Sequence, residues 1–201
     1  PYWLDIQINP IRDSNGSITH FVAFERDMSA SHNELERAVH AATHDPLTGV
    51  LNRRGLIGLY QPMQARCQRD GGLTALLAID VDRFKSINDR FGHAEGDRVL
   101  KDLAAVLARR LRKSEVFARV GGEEFVILAP VPDLAAATRL AEAIRQLVKS
   151  SITAGDTGEP VTISIGVCVS KGTENLDALV ALADAQLYRA KHAGRDCVMS
   201  A

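Results

Sequence analysis

At 201 residues the chain is long for one average domain and short for two full ones, so one domain with an appendage is the expectation. Its 46% hydrophobic and 24% charged residues fall in the soluble globular range, which excludes a disordered chain, a collagen-like fibre and a coiled-coil rod. Twenty-four Lys+Arg against 25 Asp+Glu leave a net charge of −1, too little field to gather nucleic acid or an anionic membrane, although a local cationic cluster could still bind a phosphate.

Within the first 28 residues, Leu4, Ile6 and Ile8 alternate with Asp5, Gln7 and Asn9, the period of a half-buried strand. Asn15-Gly16 supplies a tight hairpin turn before a second β-prone run, Ile18 to Phe24. Met28, His32, Leu35, Val39 and Ala42 then form a short heptad seam inside a predicted helix, Ser29 to Thr43. It reads either as an amphipathic linker or as a parallel dimer seam. Pro46 and Gly49 stop that helix.

From Asn52 onward helical and strand periods alternate. Leu73–Ile79 is a continuous apolar run of central-strand length, far short of the roughly 20 residues that span a bilayer. Stripes at Leu100, Leu103, Leu107 and Leu111, at Leu134, Ala137, Ala141, Ile144 and Val148, and at Leu176, Leu179, Ala183, Leu187 and Ala190 predict helices. Phe125–Ala129 is a second strand, and Val161, Ile163, Ile165, Val167 and Val169 alternate as a strand needing helices on one face. An α/β (α+β) fold follows, a sheet covered by helices, with an N-terminal β-hairpin and a linker helix. The cysteines Cys67, Cys168 and Cys197 lie far apart without C-x-x-C spacing, so they read as reduced thiols in a cytoplasmic protein. Starting at Pro1 rather than methionine, the chain is expected to be part of something longer, with any membrane tether upstream and no membrane contact by this segment.

Three constellations carry chemistry. Asp80-Val81-Asp82 ends the buried apolar run, where open α/β sheets place ligands, and residues two apart on a strand share a face. Paired carboxylate oxygens suit Mg²⁺ with substrate phosphates. Alternatively, Asp82 caps the helix expected from Arg83 to Phe91. Gly121-Gly122-Glu123-Glu124-Phe125 joins two β-prone runs and is first of all a turn, yet its adjacent glutamates repel unless a cation joins them, and its glycines admit a phosphate or base. Lys191 and Arg195, four apart near the end of the last helix, either complement the helix dipole or hold phosphates. Lys85 follows the aspartates closely, and Asn88 with Asp97 offers an amide and a carboxylate able to read the Watson–Crick edge of guanine. His93 between them reads by itself as a helix-start residue.

These residues, in this order and spacing, resemble the GGDEF-domain diguanylate cyclases over residues 43 to 200. The motifs are Asp45-Pro46-Leu47-Thr48-Gly49 with Asn52-Arg53-Arg54, Asp80 to Lys85 with Asn88-Asp89, Gly92-His93 with Gly96-Asp97, Arg119 to Phe125, Ser164-Ile165-Gly166-Val167, and Ala183-Asp184 through Tyr188, Ala190-Lys191 and Gly194-Arg195. The resemblance implies a palm fold like adenylyl cyclase, with a central, mostly antiparallel sheet. It implies condensation of two GTP to cyclic di-GMP with release of two pyrophosphates by a homodimer, joined through its linker helices and catalytic domains. Asp80, the Val81 carbonyl and Glu123 would hold Mg²⁺, with Mn²⁺ able to replace it. Glu124 would assist in holding the metal, and Glu123 would also help deprotonate the attacking hydroxyl. Asn88 and Asp97 would read guanine, with Phe84, His93, Gly121 and Gly122 bordering the substrate. Lys85, Lys191 and Arg195 would contact phosphates, with Lys85 stabilising the transition state.

The sequence departs from the family at its product-inhibition Arg-x-x-Asp. Here the stretch is Arg112-Lys113-Ser114-Glu115, whose carboxylate reaches about 1.5 Å further, so a weakened site is expected. Residues 1–28 resemble the last strands of a PAS sensor domain, from Tyr2-Trp3 through the Pro10–Gly16 turn to Glu25-Arg26-Asp27-Met28; residues 29–44 would be the linker and 45–201 the catalytic domain. A fragment this short should bind no PAS cofactor. The alternative function is a non-catalytic receptor for GTP or cyclic di-GMP; a nucleic-acid polymerase palm fits poorly with balanced charge.

Overall fold

The computed structural model describes residues 2–170 and 172–201, so Pro1, the start of the expected sensor fragment, lies outside the described residues. The chain divides into two compact units, Pro1–Ala42 and Thr43–Ala201.

In the first unit β1 (Leu4–Arg12) pairs antiparallel with β2 (Ile18–Asp27), placing Leu4 opposite Asp27 and Ile8 opposite Ala23. The Asp13 carboxylate accepts the amides of Asn15 and Ser17, and Gly16 takes the left-handed φ of 83° that the turn needs. The half-buried strand expected here is not observed. All of β1 is exposed, Ile6 at 50% and Ile8 at 61%, because a two-stranded ribbon has no second layer to bury its alternation against. Helix α1 (Ser29–Thr43) follows, its start fixed by the Asp27 carboxylate on the Ser29 amide and by Trp3 N–H donating to Ser29 Oγ. The Trp3 ring stacks on His32 with centroids 4.2 Å apart, while Leu35 and Val39 of the heptad seam are exposed.

The second unit runs β3 (Leu51–Asn52), α2 (Arg53–Arg69), β4 (Leu73–Val81), α3 (Phe84–Phe91), α4 (His93–Arg110), β5 (Val116–Arg119), β6 (Glu124–Val131), α5 (Leu134–Ser151), β7 (Thr153–Ala154), β8 (Glu159–Pro160), β9 (Ile163–Ser170), α6 (Leu176–His192) and β10 (Val198–Ser200). Asn52, Asp133 and Asn175 cap α2, α5 and α6 by accepting the amides of Gly55, Ala136 and Ala178, each satisfying an otherwise orphaned donor.

Six strands form one sheet in the order β10-β9-β4-β6-β5-β3. The β9–β4, β4–β6 and β6–β5 pairs are antiparallel and the two edge pairs parallel, so the sheet is mostly antiparallel, as expected. The apolar run of β4 lies at its centre. Odd-numbered residues of β4 (Ala75, Leu77, Ile79, Val81) pack with Leu103 and Leu107 of α4 and Ile144 and Val148 of α5. Leu76 and Ala78 face the other way, onto Leu56 and Tyr60 of α2 and Leu179, Ala183 and Leu187 of α6. Burying each such leucine contributes about 1.5–3 kcal/mol.

Strand β9 differs from its sequence reading, since both its faces are buried. Ser164, Gly166 and Cys168, which look like a solvent face, are small because α6 lies directly over them. A Cβ on Gly166 would collide with the Ala183 carbonyl and the Leu187 backbone. Helix α2 had no sequence expectation. Its buried face (Leu56, Tyr60, Cys67, with Met63 packed beside them) has helical spacing, but Gly55, Gly58 and Pro62 mask it. Among the described residues, no helix is long and apolar enough to cross a membrane.

Candidate active site

The polar end of β4 is where the site forms. Asp80 and Asp82 lie on one face, as the strand period requires, and are 5% and 6% exposed. Asp80 stands in register between Glu124 of β6 and Ser164 of β9. Directly opposed carboxylates are unfavourable in a sheet. Burial pushes the Asp80 carboxyl above its ordinary value, opposed by Lys191 and reinforced by Glu124 and Asp82. Lys191 Nζ sits 2.7 Å from Asp80 Oδ2.

Asp82 does not cap α3. The N-cap is Arg83, with a left-handed φ of 54° and no side-chain cap bond. Asp82 instead accepts from Thr162 Oγ1 at 2.8 Å, Ser164 Oγ at 2.7 Å and the Asp196 amide at 3.0 Å. The strand tip is thereby tied to β9 and to the loop after α6.

The Gly121-Gly122 turn joins antiparallel β5 and β6, as expected, with the Val120 amide on the Glu124 carbonyl. Neither glycine has a left-handed φ, so the turn does not demand glycine for its backbone. The Glu124 side chain folds over Gly121, whereas the space above Gly122 is open. The Glu123 carbonyl accepts the Val81 amide at 3.3 Å, which holds this turn against the tip of β4. Arg119 locks the turn from below, donating twice to the Gly122 carbonyl and to Asp45 Oδ1 at 2.9 Å. Asp45 also takes the Thr48 amide and hydroxyl; burial raises its carboxyl, but the Thr48 and Arg119 bonds outweigh burial and hold it below the ordinary range.

Helices α3 and α4 pack so that Gly96, the residue before Asp97, meets Asn88. Gly96 abuts the Asn88 amide and the Phe84 ring so closely that a Cβ there would strike Asn88 Oδ1. Asn88 is half-buried, Asp97 is exposed, and His93 is the exposed first residue of α4, as its position in the sequence suggests. Lys85 is exposed in the first turn of α3 and makes no ion pair among the described residues.

The Lys191 and Arg195 pair needs correction. Lys191 belongs to α6, but the helix ends at His192, and Arg195 follows in a left-handed turn with φ of 65°. The two are therefore not neighbours on a helix face. Arg112 and Glu115 lie apart from these residues in sequence, lining with Lys113 and His44 a shallow cavity of about 400 Å³. There Glu115 Oε2 accepts the Arg112 amide at 2.7 Å, closing its own turn.

Among the described residues, no three His, Cys, Asp or Glu side chains are grouped to hold a metal by themselves. The donor chemistry nevertheless fits Mg²⁺, which asks for one or two carboxylates and completes its shell from phosphates and water. Asp80 is buried, opposed by Glu124 and already met by a cationic group, Lys191. The residues that sequence reasoning left without a role are Asp45, Arg119 and Asp184. The first pair closes over 74 positions, and Asp184, raised by burial against the pull of Lys191 and Arg53, lies on α6. Nothing local in the chain signals either arrangement.

Comparison with known proteins agrees with this geometry. The family described as "Diguanylate cyclase, GGDEF domain" matches residues 42–197. Diguanylate cyclase DgcP of Pseudomonas aeruginosa is 44% identical over 87% of the chain and 26% of its own length, and diguanylate cyclase DgcM of Escherichia coli is 45% identical over 83% and 40%. The chain thus spans well under half the length of these relatives. The crystal structure of the coiled coil and GGDEF domain of DgcB from Caulobacter crescentus, in complex with c-di-GMP, superposes with a TM-score of 0.77 at 31% identity, covering 86% of this chain and 92% of that one. The active GGEEF domain of a diguanylate cyclase from Vibrio cholerae superposes with a TM-score of 0.68 at 33% identity, covering 74% and 96%. With its sheet order, its strand-end aspartates and its Gly-Gly-Glu-Glu-Phe turn, the chain belongs to the GGDEF family of diguanylate cyclase domains.

Proposed function

We propose that this chain condenses two GTP into cyclic di-GMP, releasing two pyrophosphates, as a homodimer in which each domain carries one nucleotide. The observation that carries the reading is the opposition of Asp80 and Glu124 at a buried strand end beside the turn that bears Glu123. Such a pairing of like charges is sustained by a cation. Asp80, the Val81 carbonyl and Glu123 would hold Mg²⁺, or Mn²⁺ in its place, which when bound neutralises the triphosphate.

The Asn88 amide donates to and accepts from guanine, the Asp97 carboxylate accepts from it, Phe84 and His93 border it, and the open backbone at Gly122 admits the nucleotide. Lys191 leaves Asp80 for a phosphate oxygen when the triphosphate arrives, and Lys85 and Arg195 add positive charge to the same group. Glu123, with Glu124 beside it, takes the proton of the 3′-hydroxyl. The 3′-oxygen then bonds to the α-phosphorus of the partner's GTP and the bond to pyrophosphate breaks; the reciprocal attack closes the ring. Dimerisation through α1 and the catalytic units, control by an upstream PAS sensor and a cytoplasmic location belong to the same reading.

The test is incubation with GTP and Mg²⁺ followed by chromatography of products. Cyclic di-GMP and pyrophosphate in a one-to-two ratio, absent in Asp80→Ala and Glu123→Ala, are expected. Nucleotide binding without product at any protein concentration would overturn the reading in favour of a receptor.

A further inference from the structure

Three non-glycine residues among those described have a left-handed backbone: Arg83, Arg195 and Asp196. This conformation is disfavoured for L-residues and persists where surroundings impose it. All three lie within one small polar knot. Asp82, just before Arg83, is 6% exposed and spends both carboxylate oxygens on neutral donors: Thr162 Oγ1, Ser164 Oγ and the Asp196 amide. The Asp196 carboxylate in turn takes Lys149 Nζ at 2.6 Å and the Arg145 guanidinium, which Glu142 orients. Asp82, Arg83 and Arg195 line one cavity of about 520 Å³. Neither Asp82 oxygen is offered to a cation, in contrast to Asp80 two residues earlier.

We propose that Asp82 is a positioning residue: through the Asp196 amide its carboxylate docks the left-handed 194–196 turn onto the tip of β4 and so holds Arg195 beside the phosphate-binding end of the site. This rests on the proposed cyclase reading for Arg195. The geometry separates the role from metal ligation. Asparagine can reproduce all three bonds, with its oxygen on the Asp196 amide and Thr162 and its NH₂ donating to the Ser164 hydroxyl, but it cannot supply a carboxylate to Mg²⁺.

The test compares Asp82→Asn, Asp82→Ala, Arg195→Ala and the double variant Asp82→Ala/Arg195→Ala. Asp82→Ala should raise KM for GTP about 10- to 100-fold with a smaller change in kcat, the sign of lost phosphate binding, while Asp82→Asn loses at least about tenfold less. The double variant should be no worse than Arg195→Ala alone, because residues acting through one contact are not additive. Equal loss in Asp82→Asn and Asp82→Ala would make Asp82 a metal ligand, and multiplying losses in the double variant would make it a general structural residue; either result overturns the proposal. Hydrogen exchange at the Asp196 amide reads the tether without activity. Protection kept in Asp82→Asn and lost in Asp82→Ala supports it, and equal protection in both refutes it, even if the wild type makes no cyclic di-GMP. Should Asp82→Ala fail to fold by circular dichroism, Arg145→Gln loosens the other end of the same turn, and an unchanged KM for GTP there overturns the proposal.

Discussion

Lys191 reaches across from α6 to place its ammonium 2.7 Å from Asp80, so the carboxylate at the heart of the site already carries a cation from its own chain. Even so, burial keeps the Asp80 carboxyl above its ordinary value. A carboxyl easier to protonate folded than unfolded contributes stability below about pH 4 that is lost as pH rises through its folded pKa. At neutral pH the ionised group therefore costs stability. Asp80→Asn should raise Tm in the absence of nucleotide and Mg²⁺ while lowering turnover by about 10²–10³, the scale expected when transition-state charge goes unneutralised. A lower Tm in calorimetry would contradict this.

The Arg119–Asp45 bridge makes a different demand. Arg119 holds the Gly122 carbonyl and Asp45 together with both side chains largely buried. Arg119→Ala should cost about 1–3 kcal/mol by leaving the Gly122 carbonyl without this partner and stripping Asp45 of its cation, with only the two Thr48 bonds remaining on that carboxylate. The Asp45 carboxyl sits below its ordinary value, so its stabilisation is present above about pH 4 and disappears as pH falls through the folded pKa. Thermal unfolding of Asp45→Asn should be less stable than wild type at neutral pH, with the difference shrinking toward pH 2. A constant difference would remove Asp45 from the acid limb.

Gly96 sets the approach of α3 to α4. Gly96→Ala should push the Asn88 amide aside and raise KM for GTP about tenfold or more, with kcat changing less, because the loss falls on base binding. ITP, which lacks the 2-amino group, should lose less. Equal losses for GTP and ITP would mean that the substitution disturbs the helices rather than the reading of guanine.

At Gly166 the added methyl of Gly166→Ala meets the backbone of α6, which cannot rotate away. Overpacking of this kind costs about 1–3 kcal/mol, a fall in Tm of about 2–12 °C for a chain of this size. An unchanged Tm would show that α6 can shift outward.

Glu115 is occupied by the Arg112 amide of its own turn. Cyclic di-GMP inhibition should accordingly be weak, and Arg112→Ala should change the inhibitory concentration little. Tight micromolar binding of cyclic di-GMP by calorimetry, abolished in Arg112→Ala, would contradict this.

Where local pattern decides structure, it was legible. The limits of α1 follow from heptad spacing and the Pro46 and Gly49 stop, and the core strand β4 from a continuous apolar run, which ends at Ile79 while the strand continues to Val81. Where contacts across the sheet decide, it was not. Small residues on β9 mimic a solvent face because a helix needs the room, and the glycines and proline of α2 conceal a regular buried stripe. Edge strands of two and three residues, β3 and β10, carry no period at all. In the site, Asp80, Asn88 and Asp97 stand on elements whose bounds the motifs suggest. The position of Arg195 was misread because nothing in an Arg-Asp pair announces a left-handed turn; Asp82, Arg145 and Lys149 impose it from elsewhere in the chain.

The most direct test is the rate of cyclic di-GMP formation from GTP and Mg²⁺ across a hundredfold range of protein concentration, with Asp80→Ala alongside. The account predicts a rate that rises faster than linearly with protein, because the reaction joins nucleotides held by two domains, and no product in the variant. A rate per protein chain that stays constant down to the lowest concentration, or product that persists in Asp80→Ala, would contradict it.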